Sequence, residues 1–361
     1  NGCKSILKFL NNKVMSLTNK NSKELLDESL YLSKWIDLEE YFDYLKGFSN
    51  TTVSVYYQSI WLNLIQASFG VKARGLVTLN SEGHLLAITP VMLSQKGPFK
   101  LLGSPLSGLN TSYSGPLFID QLSIKQKENI IYSQHKLTLM IGSYIEWGIN
   151  SPQSNPPLYL NKIENLGYTH IERKTLVLDI SIGEENLWMS FKGRARTSIR
   201  KAKKCGVIVK VANSSEQWFM AYYEMLGNTF NKQNKVNPHP EIFFKNIQSL
   251  VDAGEAYCVQ AEFEGRIIAA AIFLMDNKNL LYLSGTSNDE GMRYSASSLI
   301  QWKAMCLALS FGIINYDMNG LGIASIDKFK RGFGGREITN HRWVYKTKAF
   351  KAIEPIAKWM T

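Results

Sequence analysis

The chain has 361 residues, of which 45% are apolar, 20% charged and 12% aromatic. At roughly 100–200 residues per domain this length suggests about two domains, and the apolar fraction supports packed cores and excludes a disordered tail protein. Forty-one Lys and Arg against thirty Asp and Glu leave a net charge of +11, which points to a polyanionic partner. Four cysteines (Cys3, Cys205, Cys258, Cys306) stand far apart with no CxxC pair, and five histidines are scattered without an HExxH. That argues against a zinc ribbon, a thioredoxin site, a secreted disulfide framework and a metal enzyme, so no metal ligand is expected. The longest clean apolar run, Ile267 to Met275, is strand-sized and falls short of the ~18–20 residues of a membrane-spanning helix. Lys4, Lys8 and Lys13 interrupt the first apolar stretch, which leaves no signal-peptide core. These features predict a soluble, reduced, cytoplasmic protein, with peripheral contact to the inner face of a membrane through basic patches left open.

Residues 1–23 carry five Lys and no acid and read as a frayed arm or as an anionic-surface contact. Glu24 to Leu45 is amphipathic and acidic and reads as one or two helices. The next helix is predicted over Tyr57–Phe69, stopped by Gly70 in the C-cap role. A strand–turn–strand signal follows: Gly75–Leu79, a turn at residues 80–83, and Leu85–Leu93. Gly103 to Pro116, rich in glycine and serine, reads as an ordered loop. A helix from about Ser123 to Trp147 closes this half, and a Pro-rich break at Ser151–Pro157 precedes a short strand, helix and strand reaching Ile180.

The second half repeats the plan. At an offset of 182, Gly83 lies over Gly265, Glu82 over Glu264, Ala87 over Ala269 and Gly103 over Gly285. The same offset puts the helical stretch Trp61–Gln66 on Phe243–Gln248. A helix, a hairpin and a loop glycine agreeing at one offset indicate a tandem duplication of one α/β module. The second copy is predicted as a basic helix, strand Val207–Val211, helices Glu216–Asn231 and Pro240–Ala253, and the hairpin. Strand Asn279–Ser284, helix Ser295–Phe311, strand Ile314–Met318 and a terminal strand near Trp343–Lys346 complete it. Crossover helices and antiparallel hairpins together make a mixed α/β sheet. Three segments follow: residues 1–50 as a basic arm and helical segment, 51–175 as the first domain, and 176–361 as the second, with the active site.

Three features carry candidate chemistry. Residues 191–210 hold eight bases and no acid, with Ala195, Ile199 and Ala202 as a narrow apolar stripe. Arg196, Arg200 and Lys204 stack at i, i+4, and like charges at that spacing repel unless an anion sits there. A phosphorylated ligand or RNA and a merely solvated basic face are the two readings. The second feature, Phe329-Lys-Arg-Gly-Phe-Gly-Gly335, follows a strand ending at Asp317 to Gly320. Its glycines let backbone approach a ligand and its Lys can hold an oxyanion, or it is a tight turn with surface bases. Asp317 is read either as a general base or as a capping carboxylate. The third is the run from Gly285 to Ser298 into a helix N-terminus, an anion site or an ordinary cap. No GxSxG elbow, Walker loop or GxGxxG followed by an acid occurs.

The frame W-x(5)-R-x-x-I-R-K-A-x-K-x-G-V, from Trp188 to Val207, resembles the FemABX family. So does a second frame: Y-L-x-G at Tyr282, S-x-L-I-Q-W-x-A through Trp302, F-G-I-x-x-Y-D-x-x-G through Asp317, and F-K-x-x-F-G-G ending at Gly335. The resemblance covers about residues 50–345 and extends to the family's acetyltransferase relatives. It implies a pair of fused GNAT-like folds and transfer of an acyl or aminoacyl group to an amine, without a tightly bound cofactor. Fem members take amino acids from aminoacyl-tRNA and place them on the peptide stem of a cell-wall precursor, whereas relatives use acyl-CoA on sugars, amino acids or lipid bases.

By motif, Lys330 is implied as the oxyanion-stabilising residue; Asp317, read from its place at a strand end as a general base, is the second catalytic candidate. Arg196, Arg200 and Lys204 are implied to lie near the phosphates of a UDP-linked peptidoglycan precursor or of the donor. Tyr282, Gly285, Arg293, Ser295, Trp302, Phe329 and Arg331 complete the implied substrate contacts. Two departures are visible. The helical hairpin of the longer Fem enzymes is missing, and the Gln/Arg-x-x-Gly-x-Gly/Ala pyrophosphate signature stands here as Arg293-Tyr-Ser-Ala-Ser-Ser298. Three functions follow: aminoacyl transfer from tRNA, acyl transfer from CoA to an amino sugar, amino acid or similar amine, and a non-catalytic RNA- or membrane-surface-binding module. The first half, lacking an FK motif, is expected to have lost donor chemistry.

Overall fold

The computed structural model describes residues 31–48, 53–150, 157–160, 163–232, 234–276 and 278–357. The basic arm, Glu24 to Leu30 and most of the Pro-rich break lie outside the described residues. Chain order begins with β1 (Leu32–Ile36), α1 (Leu38–Leu45) and α2 (Ser59–Phe69), then β2 (Lys72–Leu79), β3 (Leu85–Lys96), β4 (Phe99–Ser104), the short β5 (Leu117–Phe118), α3 (Ile124–Leu139) and β6 (Tyr144–Asn150). The crossing strand β7 (Thr169–Asp179) leads into α4 (Glu184–Ser190), α5 (Gly193–Lys204), β8 (Ile208–Val211), α6 (Glu216–Asn231), α7 (Glu241–Asn246) and α8 (Gln248–Asp252). The remainder is β9 (Ala256–Phe263), β10 (Arg266–Met275), β11 (Asn279–Ser287), α9 (Asp289–Arg293), α10 (Ala296–Ser310), β12 (Asn315–Gly320), α11 (Ala324–Lys330), β13 (Arg336–Lys346) and α12 (Lys348–Ala357).

All strands join one mixed sheet in the order β1-β2-β3-β4-β6-β13-β7-β12-β11-β10-β9-β8, with β5 paired to β3. This order is palindromic about the β13–β7 pair. The parallel pair β4–β6 on one side answers the parallel pair β11–β12 on the other, and hairpin β2–β3 answers β9–β10. The duplication read at offset 182 is therefore a pseudo-twofold. Its two copies meet through equivalent residues: Trp61 of α2 and Phe243 of α7 pack with perpendicular rings, centroids 6.4 Å apart. Both side chains are fully buried in a core that also takes Tyr56, Trp218, Phe244 and Leu250 from the two halves.

The halves are also interleaved. The C-terminal β13 pairs with β6 of the first half along one edge and with β7 along the other. The expected boundary at residues 175/176 falls inside β7, whose later residues pair with β12.

Two predicted helices are corrected. Residues 32–36 form a strand, and helix begins only at Leu38, where Asp37 accepts the Glu40 N–H at 2.9 Å as N-cap. Ile36 lies across Gly75 of β2, where a Cβ would meet its Cγ1 at 2.7 Å, so the strand docks where the sheet offers no side chain. The helix expected to run to Trp147 ends at Leu139, and Tyr144–Asn150 is strand β6. At Gly142 a Cβ would lie 2.9 Å from both Ile145 and Leu102, so the chain turns tightly there into the sheet. Among the described residues no helix is long and apolar enough to cross a membrane.

Candidate active site

The parallel strands β11 and β12 pair only through Asn279–Asn315, Leu280–Tyr316 and Leu281–Asp317. Beyond that point β11 continues along β10 while β12 bulges from β7 between Asp317 and Gly320, and a cleft opens between them. The bend is made by Asn319, which adopts φ +65°, a left-handed conformation that Asn tolerates better than most residues. Its side chain spans the opening: Nδ2 donates to the Tyr282 carbonyl at 3.2 Å, and Oδ1 accepts from Ser112 Oγ of the first half at 3.2 Å.

Asp317 fixes this bend. Its carboxylate accepts from Thr175 Oγ1 and from the Asn319 backbone N–H at 2.7 Å. Burial pushes its carboxyl above the usual range, while those hydrogen bonds and the nearby Lys330 pull the other way. Of the two readings left open for Asp317, the geometry matches the capping carboxylate.

Lys330, the last residue of α11, is only 5% exposed. Its Nζ donates to the carbonyls of Gly320 at 2.7 Å and Asn319 at 3.2 Å, the two groups turned inward by the bend, and lies 6.0 Å from the Tyr282 ring centroid. Burial lowers its pKa from 10.5 to about 8, with Asp317 and Asp327 opposing the drop. An ammonium has three donors, so two hydrogen bonds leave one. Tyr282 and Gly285 are coupled, since a Cβ at Gly285 would sit 2.1 Å from the Tyr282 hydroxyl.

Asn319 and Gly320 also line a cleft of about 240 Å³ between the halves, walled by Ser112, Arg173, Lys174 and Arg342. Arg342 is buried against Glu146, and donates to Ser107 Oγ and the Ser112 carbonyl, each at 3.1 Å. Glu146 also accepts from the Ser107 N–H at 2.9 Å and Tyr144 Oη at 3.1 Å. This ion pair joins β6 to β13 and fixes one wall of the cleft.

The equivalent opening in the first half is filled by its own chain. A Cβ at Gly103 would meet Leu106 Cα at 2.4 Å and one at Gly148 would meet Pro105 Cδ at 2.7 Å, while Ser114 N–H bonds the Gly148 carbonyl at 3.0 Å. The serine- and glycine-rich loop after β4 thus plugs the first cleft.

The remaining expected residues divide. Helix α5 is as predicted, with Ala195, Ile199 and Ala202 buried. Arg196 reaches Met189 Sδ at 3.7 Å, Arg200 lies over Trp188 at 5.4 Å, and Lys204 is exposed; no carboxylate among the described residues pairs with any of the three. Lys192 N–H bonds the Gly332 carbonyl at 2.9 Å and Arg194 donates to the Lys328 carbonyl, so the helix start is pinned to the segment carrying Lys330. Arg293 is exposed over Tyr294, and Ser295 leads into α10 with no side-chain cap bond.

One expected contact is corrected. Trp302 is core, 5% exposed and edge-on to Trp188 and Phe191, because α10 must bury this face against α5. Phe329 packs on Phe333 with centroids 5.3 Å apart. Arg331 is occupied by Glu337 at 2.7 Å and Asp327 at 3.9 Å. The clustered glycines serve packing too: a Cβ at Gly335 would meet the Val177 carbonyl at 2.7 Å. The sequence missed Arg173, Asn319 and Arg342. An Asn-Gly at a strand end was a readable turn signal for Asn319, whereas nothing local marks Arg342.

Residues 189–331 match the family model of the acetyltransferase (GNAT) domain. The second half is similar to a GNAT domain. This span holds Lys330, Asp317, Tyr282 and the basic helix. The whole chain has the tandem GNAT-like fold, as three solved structures show. One is the crystal structure of FemX, 14% identical, covering 90% of this chain and 99% of that one at a TM-score of 0.67. A second is the C-terminal domain of a putative lysylphosphatidylglycerol synthetase from Agrobacterium fabrum, 12% identical, covering 89% and 96% at 0.54. The third is a tandem GNAT protein from the clavulanic acid biosynthesis pathway, 8% identical, covering 87% and 98% at 0.55. No curated protein matches the chain in sequence.

Proposed function

We propose that the protein is an acyltransferase whose donor enters the β11–β12 cleft, and that the group it moves is an aminoacyl group carried on tRNA. The observation that carries this reading is the buried Lys330 ammonium, held by the Asn319 and Gly320 carbonyls beside the cleft with its third donor uncommitted. An amine of the acceptor attacks the donor ester carbon, forming the C–N bond and placing the carbonyl electron pair on oxygen. The remaining N–H of Lys330 meets that oxyanion. Collapse breaks the C–O bond, and the leaving ribose oxygen takes the proton released by the amine. An ester donor is already activated, so positioning and oxyanion stabilisation are the main demands and no enzyme nucleophile is needed. Asp317 acts as a positioning residue, through Asn319.

Arg196, Arg200 and Lys204 of α5, which no carboxylate among the described residues pairs, lie on the helix pinned beside the Lys330 segment and suit a polyphosphate chain. With the FemABX resemblance they support charged tRNA as donor and the amine of a UDP-linked cell-wall precursor as acceptor. The acceptor occupies the basic cleft between the halves. Acyl-CoA is the second reading, favoured by the acetyltransferase domain that residues 189–331 match. The test is transfer of labelled amino acids from a charged total-tRNA pool onto UDP-muramyl-pentapeptide, with and without RNase. RNase-sensitive incorporation is expected; incorporation absent here but present with an acyl-CoA panel overturns the tRNA donor.

A further inference from the structure

His170 and His341, 171 residues apart, meet on the face of the β7–β13 pair opposite the basic cleft. His170 Nε2 and His341 Nδ1 are 3.0 Å apart, and Glu172 stands directly across the ladder from His341. One donor atom from each of the three lies within 4.8 Å of the others. We propose that His170, His341 and Glu172 form a binding site for a divalent transition metal of the zinc class.

Two imidazoles and a carboxylate are a common ligand set for such ions, and with bonds of 2.0–2.1 Å tetrahedral donors sit about 3.3 Å apart. The histidine pair is already at that separation. Glu172 is exposed, with no ion-pair partner among the described residues, so its carboxylate is free to swing the remaining distance. The surroundings pre-orient the set. The His170 ring stacks on Trp343 with centroids 4.9 Å apart, and its Nδ1 faces Glu164 Oε1 at 3.9 Å, which favours the tautomer with a lone pair on Nε2.

His341 sets where the proton sits. It is fully buried, and its Nε2 has no hydrogen-bond partner. With His170 Nε2 as a lone pair, His341 Nδ1 must carry the proton between the rings. A metal takes the place of that proton by a tautomer shift in His341, with solvent in the fourth position. The ion would tie the C-terminal strand to the strand that links the halves, directly behind Asn340 and Arg342.

The test is a Co²⁺ titration of untagged protein followed by visible absorption, with Zn²⁺ competition. One Co²⁺ per chain, displaced by one Zn²⁺, is expected, with affinity falling more than tenfold in both His170→Ala and Glu172→Gln and unchanged in the surface control His84→Ala. Glu172→Gln alters only an exposed side chain and keeps the test readable if His170→Ala does not fold. Absence of stoichiometric binding in the wild type, or retained affinity in a folded His170→Ala or Glu172→Gln, overturns the site.

Discussion

Replacing Lys330 by Met should lower activity and leave stability nearly unchanged, a pairing that separates a catalytic cation from a structural one. Two of the three ammonium donors are held by the Asn319 and Gly320 carbonyls, at 3.2 and 2.7 Å, which leaves the third for the proposed oxyanion. Removing one such donor costs about 10²–10³ in kcat, or roughly 3–4 kcal/mol of transition-state stabilisation. The ground state runs the other way. A pKa drawn down by burial from 10.5 to about 8 places about 3 kcal/mol against the charged form. The two hydrogen bonds return about 1 kcal/mol each. Methionine, of similar length and apolar, removes both contributions and leaves the two carbonyls to find water, so unfolding free energy should stay within about 1 kcal/mol of wild type. Single-turnover transfer and a urea melt on the same preparation read both quantities. A rate within threefold of wild type would refute the oxyanion role. A loss of several kcal/mol in stability would refute the claim that this ammonium is held at a cost.

Three further outcomes follow. The Lys330 ammonium is present below its pKa of about 8 and lost above it, so kcat should fall as pH rises through about 8, and Lys330→Met should abolish that limb; between about 8 and 10.5 the unfolded chain keeps a proton the folded one has released, so wild-type stability should rise with pH. Arg342→Ala strands the buried Glu146 carboxylate and should cost about 3–5 kcal/mol in a denaturant melt, with much of it recovered in the double variant Glu146→Gln/Arg342→Met. Arg196→Glu with Arg200→Glu should raise donor KM at least tenfold and flatten its salt dependence while leaving kcat within threefold, checked by steady-state assays across ionic strength.

Much of the fold could be read from local pattern. Helix α6 runs over the residues expected because Ser215 caps it, accepting the Trp218 N–H at 3.3 Å, and Trp218, Phe219, Tyr222 and Leu226 share its buried face. The duplication was visible because hairpin turns and helix starts survive as glycine and aromatic positions. What stayed hidden is what only the folded sheet creates. Residues 32–36 are too few to show a period, and they become a strand because β2 offers an edge with a glycine at the contact. The Glu146–Arg342 pair and the His170–His341 pair arise because β13 returns from the chain's end into the middle of the sheet. Lys330 was found through its motif, but the Asn319 bend that holds it depends on Thr175 from another strand. Trp302 misled because one sequence frame carries core and cleft residues alike.

The donor is expected in the second cleft and not in the plugged first one. Photocrosslinking with a donor bearing a photoreactive acyl group, presented both on RNA and on CoA, followed by peptide mapping, tests it most directly. Crosslinks within 279–287 and 315–334, lost on competition with unmodified donor, are predicted. Competed crosslinks concentrated in 99–118 and 144–150 would contradict it.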